Sequence, residues 1–292
     1  MASNLETLVT VFGGSGFLGR NVVRALCRRD YRVRVAVRRP ELAGYLQPSG
    51  KVGQVHTVQA NVRYPASIEA ALRDSQVVIN LVGILAEGGA QSFDAVQAKG
   101  AETVAKAAGE AAVLAAVPSA TIFRPSVIFG PEDQFTNRFA ALARMSPVLP
   151  LIGAETRMQP VYVGDVATAI ADAVDGKAKA GATYELGGPE VLTMREIIEA
   201  ILEITARKPM LVPLPFGLAR FQANFLQFAP GALKLTPDQV TLLEHDNVVS
   251  EAAKAAGLTL EGLGIAGDSL EAIAPQYLWR FRAAGQFQRM SV

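Results

Sequence analysis

Three glycines with fixed spacing are the first residues of this 292-residue chain that could do chemistry: Gly13-x-x-Gly16-x-x-Gly19. They follow the short β-branched run Leu8–Phe12 and precede Phe17–Arg29, where apolar residues recur at helical spacing. A glycine turn between a strand and a helix suits a pyrophosphate. The first glycine permits the tight turn. The second lets the backbone approach the phosphates with no Cβ in the way, and the third lets the helix pack closely on the strand. The helix start adds unpaired N–H groups and the positive end of a dipole. Gly13, Ser15, Gly16, Phe17, Leu18 and Gly19 are therefore candidate cofactor-binding residues. The same glycines would serve an ordinary strand-to-helix turn; their place at the start of a βαβ pattern is what favours a dinucleotide.

The end of the next strand would choose which dinucleotide. An NAD site usually puts an acid there to hold the ribose 2′-OH. This chain has Arg38 and Arg39. Two guanidiniums suit a 2′-phosphate through forked, charge-assisted hydrogen bonds. NADP(H) is thus the expected cofactor, with NAD(H) the alternative. The region also holds Arg20, Arg24, Arg28, Arg29, Arg32 and Arg34, which leaves open that the pair is simply solvated. Asn61 and Val62 follow the third strand, where an adenine edge would lie. Leu81, Val82 and Gly83 follow the fourth, beside the expected path of the nicotinamide ribose. One cysteine, Cys27, and two histidines, His56 and His245, exclude a zinc site of the usual kinds and an internal disulfide, so no metal is expected.

The elements that must position these residues follow from periodicity. Strand patterns at Tyr31–Val37, Val52–Ala60, Gln76–Val82 and Thr121–Phe129 alternate with helical ones at Ser67–Leu72 and from Phe93 onward. This predicts an α/β fold, a doubly wound parallel sheet with a smaller α+β C-terminal part. The dinucleotide domain is expected over residues 5–130, with segments near 159–174 and 183–188 returning to it; residues 131–292 form the smaller partner or substrate region. There the spacing predicts a helix at Phe135–Arg144, irregular chain over Met145–Arg157, a strand at Gln159–Val163 and a helix at Asp165–Val174. A strand at Thr183–Leu186 follows, then a capping box, Thr193 to Glu196, opening a helix to Ile204. The charges, 28 basic against 27 acidic, create no field that would recruit nucleic acid. No apolar run reaches about 18 residues, so no membrane-spanning helix is expected. The first residues carry neither a secretory nor a transit pattern, which implies a protein that stays where it is made.

Taken together the motifs form a set. Val11-Phe12-Gly13-Gly14-Ser15-Gly16-Phe17-Leu18-Gly19-Arg20 resembles the start of the extended and atypical short-chain dehydrogenases/reductases, which have a Rossmann fold. Arg124-Pro125-Ser126-Val127-Ile128-Phe129-Gly130-Pro131 is similar to their RPxxVYGP segment, which adds Pro125 to the cofactor candidates. Gln159-Pro160-Val161-Tyr162-Val163-Gly164-Asp165-Val166-Ala167 is similar to FVHVDDVA, and Tyr184-Glu185-Leu186-Gly187-Gly188 to YNVGG. One branch is closer. Val35–Pro40, Gly53–Val55, Asn80–Gly83 and Phe93–Gln97 resemble the Rossmann-type accessory (alpha-subcomplex) subunit of respiratory complex I and its bacterial relatives. The resemblance implies tight NADPH binding, complex I subunits as partners and a stabilising rather than electron-carrying role. It also implies a cytoplasmic, peripheral place on the inner face of a bacterial inner membrane.

The chain departs from the catalytic pattern of that superfamily. Its enzymes use Tyr-x-x-x-Lys, in which the lysine lowers the tyrosine pKa and the tyrosine moves the proton. Four residues after Tyr31, Tyr45, Tyr64, Tyr162, Tyr184 and Tyr277 come Val35, Ser49, Ile68, Val166, Gly188 and Phe281. None is lysine. The shortfall has a location. Residues 84–119 read as one helix from Phe93 to Val117, where the family has helix, strand and helix. Such a helix would run roughly 37 Å, long for a crossover. One alignment puts Lys106 at the lysine position with Glu102 where tyrosine belongs; the plainer reading is a solvated helix lysine. Two explanations stay open. Either the protein lacks a strand and part of a helix and binds cofactor without catalysis, or a stretch is missing between 100 and 118 and the enzymatic reading reopens.

Two aromatic segments bear on partners. Phe216–Phe228 is either an amphipathic helix packed on its own domain or a contact for a partner or membrane surface. Tyr277, Trp279, Arg280, Phe281 and Arg282 are either an anchor or a tail packed on the body. The functional expectation is an NADP(H)-binding, non-catalytic accessory or assembly subunit of complex I. The alternatives are an active NADPH-dependent reductase or nucleotide-sugar epimerase, and an NADP(H) redox sensor.

Overall fold

The computed structural model describes residues 4–83, 117–228 and 235–287. The chain divides into two compact units, Met1–Phe123 with Val166–Tyr184, and Arg124–Asp165 with Glu185–Val292.

The first unit is built on a four-stranded parallel sheet of order β3-β2-β1-β4. Its strands are β1 (Leu8–Phe12), β2 (Arg32–Val37), β3 (Val55–Gln59) and β4 (Val77–Asn80). All five residues of β1 are buried, which is why four of them are apolar with no alternation, and the hydroxyl of the fifth, Thr10, donates to Ala71 O at 3.3 Å. The chain steps outward from β1 to β2 and β3, then returns to the other side of β1 as β4. That reversal opens a crevice at the carboxyl ends of β1 and β4. Helix α1 (Phe17–Arg28) buries Val22, Val23, Leu26 and Cys27 on one side. Burial pushes the Cys27 thiol up to about 11, which makes it an inert packing group. Helix α2 (Pro65–Leu72) sets Ile68 and Ala71 into a cluster with Phe12, Ala36, Ala60 and Val62. A 3-10 helix over Pro40–Ser49 follows β2 and buries Ala43 and Leu46; its tight turns carry no 3.6-residue period to read. Residues 166–184 are tied in by charge. Arg29 reaches Asp172 at 2.8 Å and Asp175 at 2.6 Å, and Tyr31 Oη donates to Asp175 at 2.8 Å. Burial, and then that bond, push Tyr31 up to about 12.

The second unit centres on a helix whose capping box is formed. Helix α5 (Met194–Thr205) starts with the Thr193 hydroxyl accepting from Glu196 N at 3.2 Å, while Thr193 N donates to Glu196 Oε2 at 2.7 Å. Its Ile197, Ile198 and Ile201 are fully buried with Phe129, Leu149, Leu151 and Leu278. Around it lie α3 (Thr136–Met145), the start of α4 (Val163–Val174) and short paired strands. β6 (Ile128–Phe129) runs parallel to β9 (Val161–Tyr162), and β8 (Arg157–Met158) antiparallel to β11 (Leu192–Thr193). β7 (Val148–Ile152) runs parallel to β12 (Met210–Leu214).

Several expected boundaries are corrected. Met145–Arg157 is not irregular throughout, for it contains β7 and ends on the first residue of β8. Pro150 disguises β7, because proline lacks the N–H of a ladder and reads as a breaker. In a two-stranded pair an outward-facing proline loses nothing, and Leu149 and Leu151 on either side of it are buried. Thr121–Phe129 is two strands, β5 (Ile122–Pro125) and β6, and β5 pairs with β10 (Thr183–Leu186). Gln159–Val163 is a strand only at Val161–Tyr162, and the helix begins at Val163. The helix expected from Phe93 to Val117, with Glu102 and Lys106, lies outside the described residues but for its final valine.

Candidate functional site

A cleft of about 270 Å³ opens where β1 and β4 end, lined entirely by the first unit. Gly13 makes its floor. Its φ of +75° is the left-handed conformation that favours glycine. A Cβ there would lie 3.1 Å from the Leu81 carbonyl carbon and 3.2 Å from Val82 N, so the glycine also lets the chain leaving β4 pass alongside. Gly19 is a packing glycine, since its Cβ would sit 2.6 Å from Gly14 Cα. Gly16 is different. It is exposed, lines the cleft, and a Cβ there would meet only Gly13 O, at 3.3 Å. That contact with a backbone oxygen is tight, and on the cleft side a glycine leaves the backbone open to close approach of a ligand.

The cleft favours an anion. Gly16 caps α1 with no side-chain hydrogen bond, and the first turn of α1 carries no acid. The opening N–H groups of the helix and its positive dipole end therefore meet no competing carboxylate. Two guanidiniums, Arg38 and Arg63, line the cleft, and among the described residues no carboxylate does. The loops holding them are braced. Asn61 Oδ1 accepts from Arg63 N at 3.1 Å, and Ser67 Oγ accepts from Asn61 N at 3.0 Å while donating to Asn61 O at 2.9 Å. Asn80 Oδ1 accepts from Val82 N at 3.1 Å. A glycine cradle, an uncapped helix start and two cations fit the phosphates of a dinucleotide.

The structure brings Gly13, Ser15, Gly16, Arg38, Asn61, Val62, Leu81, Val82 and Gly83 together around this one cleft. Phe17, Leu18 and Gly19 stand in the first turn of α1 behind it. Arg39 is exposed at the start of the 3-10 helix and is not in the lining. Pro125 ends β5 and does not line the cleft. Lys106 lies outside the described residues. Sequence reasoning missed Phe12, Ala36, Val37, Ala60 and Arg63. Arg63 could have been found by following the chain one residue beyond Val62. Ala36 and Val37 are strand ends whose apolar types carry no chemical signal.

The later motif segments do other work. Gln159 joins them: Nε2 donates to Gly188 O at 2.6 Å, Oε1 accepts from Val249 N at 3.0 Å, and its N–H donates to Ser126 Oγ at 3.1 Å. A Cβ on Gly187 would meet Gln159 Cγ at 2.7 Å, which accounts for that glycine. Buried Asp165 accepts from Asp268 N at 2.8 Å, yet burial still holds its carboxyl above the usual range. Asp133, also buried, accepts from Thr136 Oγ1 at 2.6 Å and from Tyr277 Oη at 3.2 Å. Tyr277 and Leu278 are thus part of the core, and burial raises the Tyr277 phenol well above its normal range. The aromatic tail packs on its own unit here, with Trp279 partly exposed. Helix α6 (Phe216–Leu226) packs through Ala219 and Ala223 and leaves Leu218, Phe221 and Phe225 exposed, followed by exposed Phe228. Phe216 packs with the two alanines, whereas Leu218, Phe221 and Phe225 do not belong to the packing face. Among the described residues no helix is long and apolar enough to cross a membrane, and no three His, Cys, Asp or Glu side chains could hold a metal.

Comparison with known proteins agrees with this architecture. The NmrA-like family matches residues 6–128, and the RmlD substrate binding domain matches residues 86–217. NADH dehydrogenase (ubiquinone) 1 alpha subcomplex subunit 9 of Arabidopsis thaliana is 34% identical over 320 residues, covering 95% of this chain and 79% of the plant protein. That alignment is longer than the chain itself, 292 residues, so the plant protein carries internal residues with no counterpart here. A ceramide reductase of Caulobacter vibrioides is 29% identical, covering 74% of this chain and 76% of that protein. Among solved structures, an NADPH-dependent quinone oxidoreductase of Escherichia coli superposes with a TM-score of 0.65 at 15% identity, covering 93% of this chain and 99% of the other. At that identity the superposition shows the fold, a Rossmann-type α/β architecture.

Proposed function

We propose a function from one premise: the chain belongs to the family of NADH dehydrogenase (ubiquinone) 1 alpha subcomplex subunit 9. It is an NADP(H)-binding accessory subunit of NADH:ubiquinone oxidoreductase, complex I, and holds the nucleotide as a structural element without turning it over. The observation that carries this reading is the cleft itself: a glycine cradle and two guanidiniums, Arg38 and Arg63, with no carboxylate among the described lining residues, in a chain with no Tyr-x-x-x-Lys. Arg38 favours the 2′-phosphorylated cofactor over NAD(H). Gly13 and Gly16 seat the diphosphate at the start of α1, and Asn61 and Val62 border the adenine. Leu81, Val82 and Gly83 follow β4 beside the nicotinamide ribose. The bound nucleotide would supply hydride chemistry, but the chain has no Tyr-x-x-x-Lys to move the accompanying proton.

Other subunits of complex I are the proposed partners. The exposed Leu218, Phe221, Phe225 and Phe228 support association, because an apolar face of this kind is characteristic of an interaction surface. The proposed place is peripheral, on the cytoplasmic face of a bacterial inner membrane. Native mass spectrometry of the protein drawn from its own cells tests both halves. NADP(H) and complex I subunits should be retained; a protein recovered alone and empty overturns the reading. The ceramide reductase relative favours a second reading, an active reductase. Oxidation of bound NADPH by an added carbonyl substrate would establish it.

A further inference from the structure

The structure assigns a positioning role toward the cofactor to Tyr45, a residue outside the cleft lining; the assignment rests on the NADP(H) reading above. Tyr45 lies in the 3-10 segment Pro40–Ser49, which directly follows Arg38 and Arg39. Its hydroxyl donates to the Ser15 carbonyl in the glycine turn at 2.7 Å. The Arg20 guanidinium stands over its ring, 5.5 Å from the centroid, and Arg20 Nε donates to Gly16 O at 3.3 Å. Tyr45 is 49% exposed, so core packing does not account for it; Ala43 and Leu46 anchor the segment instead.

The contacts fix two successive peptides. In the Ser15–Gly16 peptide the carbonyl is held by Tyr45 and the N–H donates to Gly13 O at 3.0 Å. In the Gly16–Phe17 peptide the carbonyl takes Arg20 N at 3.0 Å and Arg20 Nε. A trans peptide points its N–H opposite its carbonyl. With both carbonyls committed to protein donors, neither can swing toward a phosphate and repel it, and the Phe17 N–H is left at the open end of α1. The segment that carries Arg38 is thereby clasped to the turn that seats the diphosphate. Seating the 2′-phosphate and seating the diphosphate become one linked event.

A double-mutant cycle tests the clasp. NADPH affinity is measured by titration calorimetry on the full chain and on Tyr45→Phe, Arg38→Ala and the double variant. Phenylalanine keeps the ring under Arg20 and removes only the hydroxyl, so the melting temperature of Tyr45→Phe without nucleotide should fall by no more than a few degrees. Tyr45→Phe should bind NADPH about 5-fold more weakly, the loss expected for one neutral hydrogen bond. The double variant should lose less than the product of the two single losses. ADP, which has a diphosphate but no 2′-phosphate, should lose affinity with Tyr45→Phe and not with Arg38→Ala. Parent-like NADPH affinity in Tyr45→Phe, or strictly multiplicative losses, overturns the clasp and leaves the NADP(H) reading standing. A parent protein that binds no NADPH overturns both.

Discussion

Alanine at Gly19 sets two effects of opposite sign against each other, and the structure decides between them. Gly19 is inside α1. By helix propensity alone, Gly→Ala in a helix stabilises by about 1 kcal/mol. Here, however, the new Cβ would lie 2.6 Å from Gly14 Cα and 2.7 Å from Gly14 C, against an optimum of about 3.5–4.0 Å for two carbons. Both obstacles are backbone, so no side chain can rotate away. The helix must lift from the turn by about 1 Å, and overpacking of this kind costs about 1–3 kcal/mol. With both obstacles in the backbone the steric cost is the larger, leaving a net loss of up to about 2 kcal/mol. At roughly 2–4 °C per kcal/mol the melting temperature should fall by several degrees. Gly217→Ala is the internal control. It too is helical, in α6, but nothing lies within 4 Å of its Cβ, so propensity acts alone and stability should rise by up to about 1 kcal/mol. Thermal and urea unfolding of both variants measures the two signs. If Gly19→Ala melts at or above the parent temperature, the packing argument for that glycine is refuted. The variant should also bind NADPH more weakly, because the start of α1 is displaced from the cradle.

Arg38→Ala should weaken NADPH by about 10- to 150-fold, the range for charge-assisted hydrogen bonds of about 1.5–3 kcal/mol, and leave NADH unchanged; equal losses for the two would remove Arg38 as the selecting residue. Tyr277→Phe removes the buried hydroxyl that meets Thr136 Oγ1 at 2.9 Å and Asp133 at 3.2 Å. It should cost about 1–2 kcal/mol in urea unfolding at neutral pH, and an unchanged midpoint would show that this network contributes nothing. Asp165→Asn has a pH signature. Burial raises the folded-state pKa of Asp165 above its unfolded value of about 3.9. The native state therefore holds the proton more tightly, a contribution present in full below the unfolded pKa and lost as pH rises through the folded one. Asparagine can still accept from Asp268 N, so the stability of the variant relative to the parent should improve as pH rises above about 4. A difference that stays flat from pH 4 to 7 contradicts the burial assignment.

How far the fold was legible depends on how local its signals are. β1, the glycine turn and α1 could be read because a short β-branched run, glycine spacing and helical periodicity all lie within 22 consecutive residues, 8–29. The capping box at Thr193 was legible for the same reason. β7 was not, because Pro150 cancels the strand signal and only the buried partners of Leu149 and Leu151 show that the proline faces outward. The 3-10 segment Pro40–Ser49, and with it Tyr45, left no periodic trace.

By itself the sequence determined that the chain begins as an α/β dinucleotide-type fold, that its first glycine turn is suited to phosphate, and that the tyrosine–lysine pair is missing. Each of these is a matter of residue type at short, fixed spacing. The tertiary structure decided what spacing cannot express. It set Gly13 against Leu81, 68 positions away in the chain, and put Arg63 rather than Arg39 beside Arg38 in the cleft. It also turned Phe221 and Phe225 of α6 outward and made Gln159 a strut between Ser126, Gly188 and Val249. Periodicity reports which side of an element is apolar; only packing determines which distant backbone that side meets.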